Sequence, residues 1–105
     1  MKKVPPAVPY EEGLYEDLRD PREAALYLNE ALKDGDVDGI LLVMHDIAKA
    51  RNMSRVAASI HVHRVSLHKM LHKNGNPSFR TFLALLREFE VQLSAASHKP
   101  LRRAA

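Results

Sequence analysis

The stretch Ser54-RVAASIHVHRVSLHKMLHKN-Gly75 decides the fold that the sequence predicts, because it contains two short helical patterns separated by a turn. Ser54 can cap a helix over residues 55–60. The turn-like residues 61–63 then interrupt that helix, and a second helical pattern runs from Arg64 to the Asn74-Gly75 stop. This order of elements is the layout of a helix-turn-helix.

The second of these helices has two chemically distinct sides. At about 100° per residue, one side is apolar and consists of Leu67, Met70 and Leu71. The other side is mostly polar and consists of Val65, His68, Lys69 and His72, with Arg64 at the exposed N-terminal end. Because the second helix of a helix-turn-helix enters the DNA major groove, the polar side is a candidate surface for reading bases.

Cap residues mark the other helices. The sequence Asp20-PR-Glu23 predicts a helix start, and Asp34-Gly35 predicts its end with glycine in a left-handed conformation. Asp36 predicts the start of the next helix and Asn52 its end. A last helix would begin at Asn76-Pro-Ser78, and its predicted core stripe is Phe79, Phe82, Leu83, Leu86 and Phe89. Residues 91–93 alternate like a short strand or a fraying helix end.

These patterns predict an all-α, five-helix bundle that contains the helix-turn-helix, with a possible short C-terminal strand. The length of 105 residues fits one domain. We expect a flexible arm over residues 1–12, a helix-turn-helix DNA-binding domain over residues 13–93 and a disordered tail over residues 94–105. The chain has no cysteine, no apolar run near the roughly 18 residues of a membrane span and no signal-peptide pattern, so we expect a cytoplasmic protein.

Charge is unevenly distributed along the chain. Residues 10–38 contain ten acidic and three basic side chains, a net charge of −7, whereas residues 39–87 contain eight basic side chains and one acidic one, a net charge of +7. Such a division suggests two surfaces with different partners, the basic one a polyanion. The alternative is that the charges only solvate helix surfaces.

Three runs of residues resemble a known family. They are Leu18-RDPREAALYLNEA-Leu32, Gly35-DVDGILLVMHDIAKARNM-Ser54 and Ser66-LHKMLHKNGNPSFRT-Phe82. In order and without large gaps over about residues 14–94, the chain resembles the addiction-module antidote proteins. These are HigA-like antitoxins of type II toxin–antitoxin systems with a Cro/repressor-type helix-turn-helix, so the resemblance implies a lambda repressor-like fold. The block Asn74–Phe79 is its most specific part.

The resemblance implies that the protein binds its operator DNA as a homodimer, neutralises a RelE/HigB-like toxin and represses its own operon. By position, His63, Arg64, Val65 and Lys69 would contact bases, and Ser66 would lie near the DNA backbone. Two positions depart from the family pattern. His61 stands where glycine is usual, which histidine tolerates at some strain, and His63 stands where serine or threonine normally caps the helix.

The chemistry of the side chains suggests how DNA would be read. Arg64 suits bidentate bonding to guanine, Lys69 could contact a base or a phosphate, and Val65 offers an apolar surface for the thymine methyl group. His68 could donate to or accept from a base edge. The predicted backbone contacts are Arg55, Ser66, His72, Lys73 and Arg80, with Lys49 and Arg51 as further sources of phosphate attraction.

Basic toxins would be attracted by the acidic first half of the chain. RelE-like toxins of the resembling systems are basic RNA-cleaving proteins, so we expect toxin contact on the exposed side of the helix after Asp20 and on the preceding segment. The predicted toxin-binding residues of that segment are Tyr10, Leu14, Tyr15 and Leu18.

Two other functions remain as alternatives. A stand-alone or prophage transcriptional regulator would have the same domain without a toxin. A metal-responsive module is suggested by His68 and His72, which have the i, i+4 spacing of zinc ligands. However, no carboxylate lies within thirteen residues of that pair in the sequence, and we predict neither a metal nor a cofactor. The pairs His45 with Asp46 and Ser66 with His68 lack a third orienting group, so we predict that the protein is not an enzyme.

Overall fold

The computed structural model describes residues 7–98, and the side chains of residues 13–98. Helices are the only regular elements in this part of the chain, so the all-α prediction is confirmed and residues 91–93 do not form a strand there. The helices are α1 (Ala7–Leu18), α2 (Pro21–Asp34), α3 (Val37–Ala50), α4 (Met53–Ser59), α5 (Arg64–Met70) and α6 (Phe79–Glu88).

α1 was not predicted from the sequence. It begins at Ala7, inside the segment expected to be a flexible arm, so residues 7–98 contain six helices instead of five. Pro9 lies in the first turn, where its missing N–H breaks no bond within the helix. Leu14 and Leu18, one turn apart, pack on the core, and Leu18 is only 2% exposed. Burial of these two leucines stabilises α1 although proline lowers the helix propensity of its first turn.

Capping side chains fix the ends of α2 and the starts of α3 and α6, as the sequence predicts. The Asp20 carboxylate accepts from the Arg22 N–H, and the Asp36 carboxylate accepts from the Gly39 N–H. Gly35 ends α2 with φ +77° and donates its N–H to the carbonyl of Ala31. The Ser78 hydroxyl accepts from the Thr81 N–H at 3.0 Å and thereby starts α6.

Asn52 differs from its predicted role. The sequence assigns it to the end of the second predicted helix and assigns Ser54 as the next cap, but Asn52 is itself the N-cap of α4. Its side chain accepts from the Arg55 N–H at 3.1 Å, and its φ is +81°, a positive value that asparagine adopts more often than most residues do. The connection between α3 and α4, residues 51–52, therefore lies two residues earlier than predicted, and Ser54 lies inside α4.

The core is apolar and draws side chains from all six helices. The core stripe predicted for the last helix is confirmed at Leu86 in α6 and at Phe89 directly after it, which are buried, but it is wrong for Phe79, which is 65% exposed. Phe79 is the first residue of α6 and extends beyond the edge of the core, where it stacks on Phe82. The buried side chains are Leu18, Ala24, Leu28, Leu41, Val43, Met44, Ile47, Ala48, Val56, Ala57, Leu67, Leu71, Leu85, Leu86 and Phe89.

The Arg51 side chain connects the C-terminal ends of α1, α3 and α6. Its Nε donates to the carbonyl oxygen of Leu18 at the end of α1, and its Nη2 donates to the carbonyl oxygen of Phe89 just after α6. Its guanidinium carbon also lies 5.8 Å from the centre of the Phe89 ring. Since Arg51 itself ends α3, one guanidinium group satisfies carbonyls that α1 and α6 leave unpaired.

None of the helices in residues 7–98 has the length and apolar character needed to cross a membrane.

Candidate nucleic-acid interface

α4 and α5 are joined by a turn in which His61 takes the left-handed conformation. The φ of His61 is +60°. Its N–H donates to the carbonyl of Ala58, and the N–H of Val62 donates to the carbonyl of Ala57 at 2.9 Å. These two bonds form a Schellman motif, in which the residue at the position of His61 is usually glycine. The structure therefore confirms that His61 holds the conformation that glycine favours in this turn.

The inner sides of α4 and α5 pack tightly on the core. Val56 and Ala57 of α4 are 1% and 2% exposed, and Leu67 of α5 is fully buried. Leu71, directly after α5, is 1% exposed. The small side chain of Ala57 allows the two helices to approach closely. The outer side of α5 is consequently held in one orientation relative to the bundle.

All ten residues predicted to contact DNA are exposed. They are Arg55, His63, Arg64, Val65, Ser66, His68, Lys69, His72, Lys73 and Arg80. Val65 is 59% exposed, which is unusual for a valine and places an apolar surface beside the charged side chains.

The structure brings some of these residues together and leaves others apart. Arg64, Val65 and His68 share one shallow groove of about 210 Å³ with Met53 at the start of α4. His68 also lines a second groove, of about 440 Å³, with His72 and Lys73 and with Leu42 and His45 of α3. Arg55 and Arg80 lie on α4 and α6, away from both grooves.

His63 and His72 differ in part from their predicted local roles. His63 is the N-cap of α5 in an extended conformation, but its side chain makes no capping bond with the described residues. No ring nitrogen of His63 therefore caps the start of α5 in this part of the chain. α5 ends at Met70 instead of Asn74, so His72 lies after the helix, where its Nδ1 accepts from the Lys73 N–H at 2.9 Å.

The contact of His68 with α3 was not predicted from the sequence. Nε2 of His45 lies 3.2 Å from Nδ1 of His68, with the two rings edge to face. His68 is in turn edge to face with His72 at 5.7 Å between ring centres. No periodicity relates His45 to His68, because 23 positions separate them in the sequence. His68 consequently lies at the margin of the outer side of α5 and is turned toward α3.

The partly buried His45 side chain lies in a network of polar groups. Its Nδ1 lies 3.9 Å from Oδ1 of Asp46, and the Tyr27 hydroxyl donates to Oδ2 of Asp46 at 3.2 Å. Burial, and then the neighbouring His68, lower the pKa of His45 below its ordinary value, although Asp46 opposes this change. Burial raises the pKa of Asp46, against the effects of Tyr27 and His45.

The four histidines between residues 61 and 72 divide into separate groups. His61 and His63 lie in the turn before α5, whereas His68 and His72 face α3. Within residues 13–98, no three side chains of the metal-binding types are grouped so that they could hold a metal ion.

Two of the basic residues expected to attract phosphate have contacts inside the protein. Arg51 binds the carbonyls of Leu18 and Phe89, and Nζ of Lys49 lies 5.3 Å from the centre of the Tyr15 ring. In this structure the two charged side chains therefore stabilise the packing of α3 against α1 and α6.

The predicted toxin-binding residues of α1 mostly face inward. Leu18 is buried, and Leu14 and Tyr15 are half-buried. The Tyr10 side chain lies outside the described residues. In contrast, Leu26 of α2 is 62% exposed and lies between two grooves, one of about 250 Å³ toward α1 and one of about 410 Å³ toward residues 91–94.

Comparison with known proteins identifies the family of this chain. Residues 12–97 match the model of a family described as "Probable addiction module antidote protein". An uncharacterised protein of Haemophilus influenzae is 40% identical over 83 residues, which cover 75% of this chain and 86% of that protein. No solved structure matches the chain significantly. The chain thus belongs to the family of probable addiction module antidote proteins.

Proposed function

We propose that this protein is the HigA-like antitoxin of a type II toxin–antitoxin module, in which it neutralises a RelE/HigB-like toxin and represses its own operon by binding DNA. It acts as a non-enzymatic regulator. The observation that supports DNA binding best is the outer side of α5, where Arg64, Val65 and Lys69 are exposed while Leu67 is fully buried. Family membership supports the antitoxin role.

The contacts that we propose follow from side-chain chemistry. Arg64 bonds to guanine O6 and N7, Val65 contacts a thymine methyl group, and Lys69 binds a base or a phosphate. His63 and His68 complete the base-contacting set. Phosphate contacts come from the exposed side chains around it, which are Arg55, Ser66, His72, Lys73 and Arg80.

A homodimer suits this mode of binding. Two copies related by a two-fold axis would place their α5 helices in successive major grooves about one helical turn apart. Residues 91–93, or α6, are our candidates for the seam between the copies, and Leu93 is 37% exposed.

Toxin binding fits the exposed side of α2. Leu26 is a large exposed apolar side chain with exposed Glu23 and Glu30 on the same helix, and a basic toxin would be attracted to such a surface. We therefore centre the toxin contact on Leu26 and omit Leu18, which is buried. The proposed toxin contact extends onto α1, where its border consists of Tyr10, Leu14 and Tyr15.

Co-expression with the neighbouring open reading frame tests the toxin claim. The two products should purify together, and the complex should shift DNA from the upstream promoter in a gel. Leu26→Glu should abolish co-purification, whereas Val37→Glu, at an equally exposed apolar position at the start of α3, should not.

If the neighbouring product neither binds nor is toxic while the promoter DNA is still shifted, the protein is a stand-alone regulator. That result would reject the antitoxin role alone.

A further inference from the structure

A continuous polar contact path runs from α2 through α3 to the outer side of α5. The Tyr27 hydroxyl donates to Asp46, and Asp46 faces Nδ1 of His45. Nε2 of His45 then lies within hydrogen-bonding distance of Nδ1 of His68. Tyr27, His45 and His68 belong to three different helices, so the path links the protein core to the candidate DNA surface.

The order of the contacts determines where the ring protons lie. A neutral histidine has one N–H and one lone pair, and a carboxylate beside Nδ1 favours the proton on that atom. The charge of the Asp46 carboxylate, 3.9 Å from Nδ1 of His45, therefore favours the tautomer of His45 that has its lone pair on Nε2. Because Nε2 of His45 faces Nδ1 of His68, the bond forms only if His68 has its proton on Nδ1. A neutral His68 then has its lone pair on Nε2.

This placement gives His68 a different role from its neighbours. Arg64 and Lys69 have only hydrogen-bond donors, so the base atoms that they recognise are acceptors such as O6 and N7 of guanine. An acceptor on His68 instead matches the amino groups N6 of adenine and N4 of cytosine, which are the donors of the major groove. The acceptor atoms of guanine and thymine would repel it.

We propose that His45, oriented by Asp46, holds His68 in the Nδ1–H tautomer, so that His68 presents Nε2 as an acceptor to the amino group of a DNA base. The base contact rests on the proposed DNA-binding function. The tautomer is a property of the protein alone. His45 is a positioning residue in this account, since it acts through His68.

The tautomer can be measured by NMR on the full chain without DNA. Two-bond proton–nitrogen correlations of the ¹⁵N-labelled rings distinguish Nδ1–H from Nε2–H, and they are recorded at about pH 8, above the ordinary pKa of histidine. We expect Nδ1–H for His68 in the wild type. In Asp46→Asn and His45→Phe, His68 should change to the Nε2–H form that histidine prefers in water. Finding Nε2–H in the wild type would overturn the proposal.

A matched variant separates this effect from general packing. His72→Phe replaces the other ring that touches His68 but leaves the bond to His45 intact, so the tautomer of His68 should not change. The amide spectrum of each variant reports whether it folds. Asp46→Asn retains an oxygen for the Tyr27 hydroxyl and removes only the charge, so it keeps the test valid if His45→Phe does not fold.

Selection from a randomised double-stranded DNA library tests the base contact. We expect the wild type to prefer one base pair at one position of the selected site, and His45→Phe or Asp46→Asn to reduce that preference about tenfold while the preferences at the other positions stay unchanged. If a variant changes the tautomer of His68 but selects the same DNA as the wild type, His68 does not read a base through Nε2. The DNA-binding function would still stand. Failure of the wild type to select any DNA would reject the reading role together with the proposed function, whatever the tautomer.

Discussion

Nη2 of Arg51 donates a 3.0 Å hydrogen bond to the backbone carbonyl of Phe89, 38 residues away in the sequence. The same guanidinium donates from Nε to Leu18, so the planar group satisfies two carbonyls in fixed directions. A lysine ammonium cannot reproduce that geometry. The contact therefore stabilises the arrangement of α1, α3 and α6 in a way that depends on arginine specifically.

Arg51→Lys should lower the free energy of unfolding by about 1–3 kcal/mol, because at least one half-buried carbonyl loses its charged donor. Urea denaturation of the full chain measures this change. Arg55→Lys, at an exposed position in α4, is the control and should alter stability by less than about 0.5 kcal/mol. Equal stabilities for the two variants would show that the Arg51 contacts contribute nothing.

Much of the fold could be predicted because caps and apolar periodicity act locally. Asp20, Gly35, Asp36 and Ser78 each mark a helix end through bonds to residues at most four positions away. The predictions were wrong where contacts between distant parts of the chain determine the structure. α1 is helical because its leucines meet a core assembled from later residues, and Phe79 is exposed because α6 begins where the core ends.

Gly75 occupies a position with no room for a side chain. A Cβ at Gly75 would overlap the backbone carbonyls of Met70 and His72, so the backbone must move if any other residue is present. We expect Gly75→Ala to lower the free energy of unfolding by about 1–3 kcal/mol.

Gly13→Ala is the matched control, because a Cβ there meets no described atom within 4 Å and the residue is inside α1. It should raise stability by about 0.5–1 kcal/mol through helix propensity. Thermal unfolding of the two variants should therefore shift in opposite directions, and a shift in the same direction would refute this account of Gly75.

The left-handed backbone at His61 predicts a specific ranking of substitutions. His61→Val should lower the free energy of unfolding by about 1–2 kcal/mol, because a β-branched side chain is strained at positive φ. His61→Gly should match or exceed the wild type. His63→Val, at an extended position two residues later, should have little effect. Denaturant unfolding of the three variants checks the ranking, which fails if His61→Val is as stable as His63→Val.

The pKa of His45 gives the stability a definite pH dependence. Burial and the neighbouring His68 lower this pKa below its ordinary value of 6.5, so the unfolded chain binds a proton more readily than the folded one. The stability associated with neutral His45 is complete above pH 6.5 and is lost as the pH falls through the lowered pKa. Asp46, whose pKa is raised by burial from 3.8, has the opposite effect at lower pH.

The free energy of unfolding of the wild type should therefore fall more between about pH 7 and about pH 5 than that of His45→Phe. Urea titrations of both proteins at the two pH values supply the comparison. Parallel losses in the two proteins would mean that His45 does not contribute to the pH dependence.

The candidate site was predictable only in part. The exposure of Arg64, Val65 and Lys69 follows from helical periodicity, which is a local property of residues 64–71. The role of His45 could not be predicted, since its contact with His68 depends on how α3 and α5 pack. The inward orientation of Leu18 was missed for the same reason, because a single amphipathic segment does not reveal which side meets the core.

The central claim is that α5 reads DNA, and fluorescence anisotropy with the DNA upstream of the protein's own gene tests it most directly. We expect wild-type binding whose log affinity falls linearly with log salt concentration. Arg64→Ala and Lys69→Ala should each weaken binding by about tenfold or more, whereas Lys33→Ala, at an exposed lysine of α2, should not. Absence of binding at low salt, or equal affinities for all three variants, would contradict the claim.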